Sequence, residues 1–179
     1  MKIITDDLPK GVFGKGIYYP LRTDFRIWLK FAQLLEDLTP ENAAKAFAVC
    51  YTKIMPKNPE EALSLLCEFF SGGEIPKTKS KSGKQLISFV KDEELIYASF
   101  LMQYKIDLTD AKMHWWKFLA LFRNLGKDTP VMQVASLRNT NPADIKDSKI
   151  RRKVIEQKHM FSIDENAEVD VGEALSAMF

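Results

Sequence analysis

Apolar residues recur at helical spacing along most of this chain. The clearest stripe, at i, i+3, i+4, i+7 and i+10, consists of Trp115, Phe118, Leu119, Phe122 and Leu125. Thr109 is predicted to cap this helix and Gly126 to end it. A preceding helix is predicted from Asp92, with Tyr97, Leu101 and Tyr104 on one face. We expect the two helices, joined by a short turn, to form the centre of the core.

Shorter stripes with start signals predict the other helices. The predicted helix beginnings are at Thr23 or Asp24, at Thr39, at Asn58 and at Thr129. The last three of these residues are each followed by proline. The buried faces are expected to contain Phe25, Trp28, Leu29, Ala32 and Leu35, then Ala44, Phe47, Ala48, Tyr51 and Met55, then Leu63, Leu66, Cys67 and Phe70. A final helix after Asn141 and Pro142 has only a thin apolar stripe of Ile150, Val154 and Phe161, which is typical of a surface helix.

The N-terminal segment has β-like signals, from Ile3 and Ile4 onward. Val12 and Phe13 are separated from Ile17, Tyr18 and Tyr19 by the turn residues Gly14, Lys15 and Gly16. The predicted fold is therefore mainly α. It is a compact multi-helix domain over residues 1–161, with six or seven helices and a small N-terminal β-hairpin or meander.

Two segments depart from the helical pattern. Residues 74–85 contain a basic stretch and are predicted to be a mobile loop, either a solvated insertion or a contact for nucleic acid or an acidic partner. Residues 162–179 form an acidic tail that ends in an amphipathic segment. Its apolar residues, spaced at i, i+4, i+7 and i+8, are Val171, Leu175, Met178 and Phe179. The sequence leaves open whether this segment docks on its own domain, on a neighbouring copy or on a partner.

Composition and charge favour a soluble globular protein. The chain has 179 residues, 46% hydrophobic and 28% charged, with a net charge of +2. Such a small charge argues against a constitutive electrostatic hold on nucleic acid. Cys50 and Cys67 are expected to be reduced and buried. Neither a signal peptide nor a membrane span is apparent, which predicts a cytosolic location.

Candidate catalytic chemistry is sparse. The two histidines, His114 and His159, lie far apart and outside any metal-ligand motif, and His114 is expected at the surface or edge. The glycines around Lys15 do not have the spacing of a phosphate-binding loop. We therefore expect no enzyme activity, no metal and no cofactor. Trp28 and Trp115 are expected in the core, whereas Trp116 is evenly balanced between core and partner contact.

The chain resembles a known family in several segments. These are Tyr19-Pro20-Leu21-Arg22-Thr23-Asp24-Phe25-Arg26, Ile96-Tyr97-Ala98-Ser99-Phe100, Ile106-Asp107-Leu108-Thr109, His114-Trp115-Trp116-Lys117-Phe118 and Ala120-Leu121-Phe122. They are similar to the bacteriophage gene-product-fifteen family, small tail-region proteins of phages and prophages of Gram-positive bacteria. The likeness covers roughly residues 3 to 160 and excludes the acidic tail.

The resemblance implies a tail-assembly chaperone that binds the tape-measure protein, keeps it soluble and also recruits major tail protein. Such a protein would act in the cytoplasm of an infected or lysogenic host and be absent from the finished virion. Independently of the resemblance, we expect partner contact at Trp116, Val171, Leu175, Met178 and Phe179, and self-association is a further expectation. The alternatives are a DNA-associated regulatory or packaging factor using Lys77–Lys84 and Lys146–Lys158, or a structural tail component.

Overall fold

The computed structural model describes residues 3–72 and 86–163, and the mainly α fold with an N-terminal hairpin is confirmed. The described elements are β1 Gly11–Gly14, β2 Ile17–Pro20, α1 Phe25–Leu35, α2 Pro40–Cys50, α3 Pro59–Phe70, α4 Glu93–Tyr104, α5 Trp115–Arg123, α6 Pro130–Asn139, a 3-10 helix Pro142–Asp144 and α7 Ser148–Met160. The predicted basic loop and the tail beyond Ile163 lie outside the described residues.

The chain forms two compact units. The described part of the first comprises residues 3–72 and Lys112–Arg123, and that of the second comprises residues 86–111 and 124–163. Helix α5 thus belongs to the first unit and α4 to the second, so the expected hairpin of these two helices is not the centre of one core. Because compact packing does not show that a unit folds alone, the single domain predicted over residues 1–161 stays a prediction.

The hairpin forms around a two-residue turn. Gly14 pairs with Ile17, which leaves Lys15 and Gly16 as the turn, with φ of 47° and 80°. Two consecutive positive φ values define a type I′ turn, whose twist suits a β-hairpin. Lys15 Nζ donates to Glu61 Oε2 at 2.7 Å, and β1 packs on α3. Ile3 and Ile4 lie in a turn before the hairpin.

In the first unit, three of the predicted helix caps are confirmed by side-chain hydrogen bonds. The side chains of Asp24, Thr39 and Asn58 each accept a backbone N–H from the first turn of α1, α2 and α3. Such a cap contributes about 0.5–2 kcal/mol because it satisfies a donor that the helix cannot. The short polar side chains therefore set the helix beginnings as the sequence predicts.

Stacked aromatic rings form the core of the first unit. Trp28 and Trp115 have no exposed surface, which confirms their predicted core positions. The Trp28 ring lies 4.6 Å from Phe69, and the Trp115 ring lies 5.1 Å from Phe70, centroid to centroid. Phe118 extends the stack, with its ring centroid 5.4 Å from that of Trp115. Offset ring pairs of this kind contribute about 0.5–1.5 kcal/mol beyond burial alone.

Two helices bury a face other than the predicted one. In α2 the structure buries Ala43, Ala46 and Cys50 instead of a face through Ala44 and Ala48. The helix is rich in small alanines around its whole circumference, so their spacing does not identify one face.

Helix α4 shows the same displacement. Its buried residues are Ile96, Ser99 and Phe100, whereas Leu101 of the predicted face is 41% exposed. Apolar residues surround this helix as well, and Ser99 can be buried because its hydroxyl is satisfied. Its Oγ donates to the Leu95 carbonyl at 2.6 Å and accepts the Val131 N–H at 3.1 Å. The Val131 contact joins α4 to α6 within the second unit.

A buried ion pair also joins α4 to α6. Asp92 stands at the N-cap position of α4, as predicted, but its carboxylate makes no cap hydrogen bond. It accepts instead from Arg138 Nη1 and Nη2 at 2.6 and 2.7 Å and from the Ser88 N–H at 2.9 Å. The side chains of Asp92 and Arg138 are only 2% and 7% exposed. Arg138 donates further to the carbonyls of Leu86 and Phe161.

We expect Arg138→Ala to destabilise the second unit by about 3–5 kcal/mol, because it leaves the Asp92 carboxylate buried without its cation. Urea unfolding followed by far-UV circular dichroism measures this loss. The matched control is Arg152→Ala, which removes an exposed ion pair with Glu156 and should have little effect. Similar small losses in the two variants would show that the buried pair does not hold α4 and α6 together.

Candidate functional site: the segment from His114 to Trp116

The segment His114–Trp116 lies at the beginning of α5 and is attached to the beginning of α1. The Trp115 N–H donates to the Thr23 carbonyl at 2.7 Å, and the Phe25 N–H donates to the Met113 carbonyl at 2.9 Å. This antiparallel bridge fixes the first residue of α5 at Trp115, so the predicted start at Thr109 is wrong. The Thr109 N–H and hydroxyl instead bind the Asp107 carboxylate in a local turn.

The two tryptophans of this segment donate hydrogen bonds to the carboxyl end of α3. Trp115 Nε1 donates to the Phe70 carbonyl at 2.7 Å, and Trp116 Nε1 donates to the Phe69 carbonyl at 2.9 Å. Arg123 Nη2 donates to the Ser71 carbonyl at 3.0 Å. The last carbonyls of a helix have no partner within it and carry partial negative charge. These three donors satisfy that end of α3.

His114 caps the beginning of α5 through its imidazole ring. Its Nδ1 accepts the Trp116 N–H at 3.0 Å, and its Nε2 lies 2.9 Å from the Pro9 carbonyl. The ring is therefore neutral, with the proton on Nε2. Burial lowers the pKa of His114 and the nearby Lys117 lowers it further, although the Pro9 carbonyl opposes them. His114 is half-buried, in agreement with the predicted edge position.

The earlier segment Tyr19–Arg26 also serves the fold. Arg22 Nη1 donates to the carbonyls of Ala48, Val49 and Tyr51 at 2.8–2.9 Å, which satisfies the carboxyl end of α2. Trp28 Nε1 donates to the Arg22 carbonyl at 2.9 Å and links this arginine to the aromatic core. Sequence reasoning missed this role, because nothing in the spacing of Arg22 indicates which helix end it reaches.

The two cysteines are free thiols. Cys50 is buried and Cys67 is half-buried. Burial raises the pKa of Cys50 to about 12, with Arg22 opposing the shift, and raises the pKa of Cys67 to about 11. The prediction of a reduced pair is confirmed, although only Cys50 is fully buried.

An apolar surface remains exposed on the hairpin. Phe13 and Tyr18 are 71% and 41% exposed on one face of the hairpin, and we call these two residues the hairpin patch. Ile17 is also exposed, but the pairing register places it on the opposite face, with Val12 and Tyr19. Phe13 and Tyr18 are cross-strand partners whose ring centroids lie 5.1 Å apart. Exposed apolar clusters on a folded unit are typical of interaction sites.

Of the predicted partner-binding residues, Trp116 is the one that the described residues include. It is half-buried, and its ring centroid lies 5.4 Å from that of Phe69, so part of the indole is accessible. Val171, Leu175, Met178 and Phe179 lie outside the described residues. Their role in binding stays a prediction.

Neither a metal site nor a membrane span is found in the part of the chain that the structure describes. Residues 3–72 and 86–163 contain no group of three His, Cys, Asp or Glu side chains placed to hold a metal ion. None of the helices within those ranges is long and apolar enough to cross a membrane.

These contacts define a small, mainly helical protein in which the distinctive sequence segments are built into the fold. The chain belongs to the family described as Bacteriophage Gp15 protein, whose sequence profile matches residues 4–163. This match confirms the family resemblance of the sequence. No curated protein and no solved structure matches the chain.

We expect Trp115→Ala to lower the free energy of unfolding by about 3–5 kcal/mol, the range for removing a large buried aromatic side chain. Trp116→Ala should cost markedly less, because part of its ring is already in solvent. Trp115→Phe keeps most of the ring but leaves the Phe70 carbonyl without this donor, a loss of about 1–3 kcal/mol. Urea unfolding followed by circular dichroism compares the three variants. Equal losses for Trp115→Ala and Trp116→Ala would contradict the assignment.

The neutral His114 cap should make stability depend on pH. Because its folded pKa lies below the ordinary value of 6.5, its contribution is complete above about pH 6.5 and is lost as the pH falls toward the folded pKa. Urea unfolding followed by tryptophan fluorescence reports this directly, since Trp28, Trp115 and Trp116 all belong to the first unit.

His114→Asn retains a capping side chain without a titrating group and should flatten the stability profile between pH 7 and 5.5, whereas His159→Asn, at an exposed position, should leave it unchanged. A profile that His159→Asn flattens instead would reject the His114 assignment.

Proposed function

We propose that this protein is a tail-assembly chaperone that binds the phage tape-measure protein while the tail is built. Membership of the Bacteriophage Gp15 protein family supports a phage-related role. The observation that carries the proposal is the hairpin patch, an exposed aromatic surface on the first unit. The proposed activity is binding, which requires no catalytic group.

The chemistry of the proposed partner fits this patch. A long helical protein with apolar faces aggregates unless those faces are covered, and an amphipathic helix is bound by an apolar surface with a polar rim. Phe13 and Tyr18 offer such a surface, and Lys15 at the turn supplies part of its rim. Aromatic anchors of this kind contribute much of the binding energy at protein interfaces.

The finer parts of the proposal concern the place and the partners of the complex. We place it in the cytoplasm of the infected or lysogenic host, with the protein released before the virion is complete. Recruitment of major tail protein and self-association are secondary contacts. The accessible edge of Trp116 and the apolar residues of the tail are further proposed contacts for these partners.

We expect Phe13→Thr/Tyr18→Thr to abolish solubilisation of the tape-measure protein when the two are co-expressed. The change removes both aromatic anchors while retaining side chains that suit a strand. The soluble fraction of tape-measure protein and its co-purification are the measurements. Leu101→Gln/Met102→Gln is the matched control, since these residues are 41% and 52% exposed on α4, in the other unit.

Both variants should retain the melting temperature of the original protein, because they change exposed positions. Tape-measure protein that is equally soluble with Phe13→Thr/Tyr18→Thr would reject the hairpin patch as the binding surface. Tape-measure protein that is equally insoluble with and without the unmodified protein would reject the chaperone function itself.

The two alternative functions give different results. A DNA-associated factor that neutralises several phosphates should lose affinity for random duplex by about 10³-fold or more between 50 and 200 mM salt. A structural tail component should be found by mass spectrometry in purified virions. Retention of DNA at low salt, or presence in virions, would replace the proposed function with one of these.

A further inference from the structure

Helix α7 has an unusual surface for a helix of this length. None of its 13 residues is buried, and its sequence contains five Lys or Arg residues and a single acid. Ile150 is 55% exposed and Met160 is 73% exposed. An apolar and strongly basic surface of this kind is suited to an acidic amphipathic partner.

Among the described residues of the second unit, hydrogen bonds attach α7 along one of its sides. Arg151 donates to the Ile145 carbonyl at 2.7 and 2.9 Å, and Lys158 donates to the Arg138 carbonyl at 2.8 Å. At 100° per residue, Val154 lies beside these two side chains and is half-buried.

The residues that project away from this attachment form a contiguous surface, which we call the outer face of α7. It consists of Lys149, Ile150, Lys153, Glu156, Gln157 and Met160, all of them exposed, and Glu156 is paired with the exposed Arg152. Ile150 and Met160 stand near its two ends, with Lys149 beside Ile150 and Lys153 between the two apolar residues. The outer face therefore combines apolar contact with positive charge.

The chain beyond Ile163 has the complementary chemistry. Residues 164–179 contain five Asp or Glu residues and no Lys, Arg or His. The apolar residues that follow one helical face are Val171, Leu175, Met178 and Phe179. Two segments of opposite charge, each with apolar residues, are therefore adjacent in sequence.

The lengths of the two segments also match. A 13-residue helix is about 20 Å long and a 16-residue helix is about 24 Å long. A reversal of direction needs only about 2–5 residues, so the remaining residues after Ile163 can span most of α7. A tether this short gives an effective concentration in the millimolar range, which favours contact within one chain over contact between copies.

We propose that residues 164–179 dock on the outer face of α7 in the same molecule, antiparallel to it. The apolar residues of the tail contact Ile150 and Met160, and its acids approach Lys149 and Lys153. This surface is separate from the hairpin patch, so the proposal does not depend on binding of the tape-measure protein.

Hydrogen exchange of the full chain, followed by mass spectrometry, tests the docking. The amides of residues 164–179 should exchange about tenfold more slowly than those of the isolated peptide of the same sequence. Lys149→Glu/Lys153→Glu should remove this protection. Lys53→Glu/Lys57→Glu, at exposed positions of the first unit, makes the same change of net charge and should leave the protection intact. Adding Glu168→Lys/Asp170→Lys to the first pair should restore it.

Three outcomes would overturn the proposal. Tail amides of the unmodified protein that exchange at the rate of the free peptide would mean that nothing covers the tail. Protection that rises with protein concentration, together with a larger mass by light scattering, would mean that the tail docks on a second copy. Loss of DNA retention in Lys149→Glu/Lys153→Glu with unchanged tail exchange would assign the outer face to nucleic acid.

Discussion

The carboxyl ends of the helices impose the constraint on which much of this structure depends. The last carbonyls of a helix lack partners within it, and leaving them unpaired in a packed unit costs free energy. Arg22 donates to the last carbonyls of α2, and Lys158 donates to a carbonyl at the end of α6. The end of α3 accepts from the indoles of Trp115 and Trp116 and from Arg123. Most of these donors lie 20 to 52 residues away from their acceptors in sequence. Hydrogen bonding at a helix end therefore also brings distant parts of the chain together.

This requirement changes how the most distinctive residues are interpreted. Adjacent tryptophans beside a histidine are a common choice for a ligand site, yet here both indole N–H groups and both imidazole nitrogens have partners within the fold. In this chain these residues therefore stabilise the fold through their hydrogen bonds. Exposed apolar side chains lie instead on less distinctive residues, in the hairpin patch and on the outer face of α7.

Local features of the fold could be predicted from the sequence, and its long-range features could not. The hairpin turn and the caps at Asp24, Thr39 and Asn58 depend on a few neighbouring residues, so the sequence indicates them. The start of α5 depends on a bridge to Thr23 and Phe25 about 90 residues away, which overrides the local signal at Thr109. Asp92 looked like an ordinary cap because its partner, Arg138, is separated from it by 46 residues. The hairpin patch was recognised as a β element, but its exposure depends on which face packs on α3.

The burial of the two thiols has a consequence for their reactivity. The thiolate is the nucleophilic form of cysteine, and pKa values of about 12 for Cys50 and about 11 for Cys67 leave almost none of it at neutral pH. Cys50, which is fully buried, is therefore shielded from alkylating reagents and mild oxidants while the first unit is folded, whereas Cys67 is only half-buried. Cys50 recovers ordinary reactivity only when that unit opens, so its rate of alkylation measures how often the aromatic core is exposed to solvent.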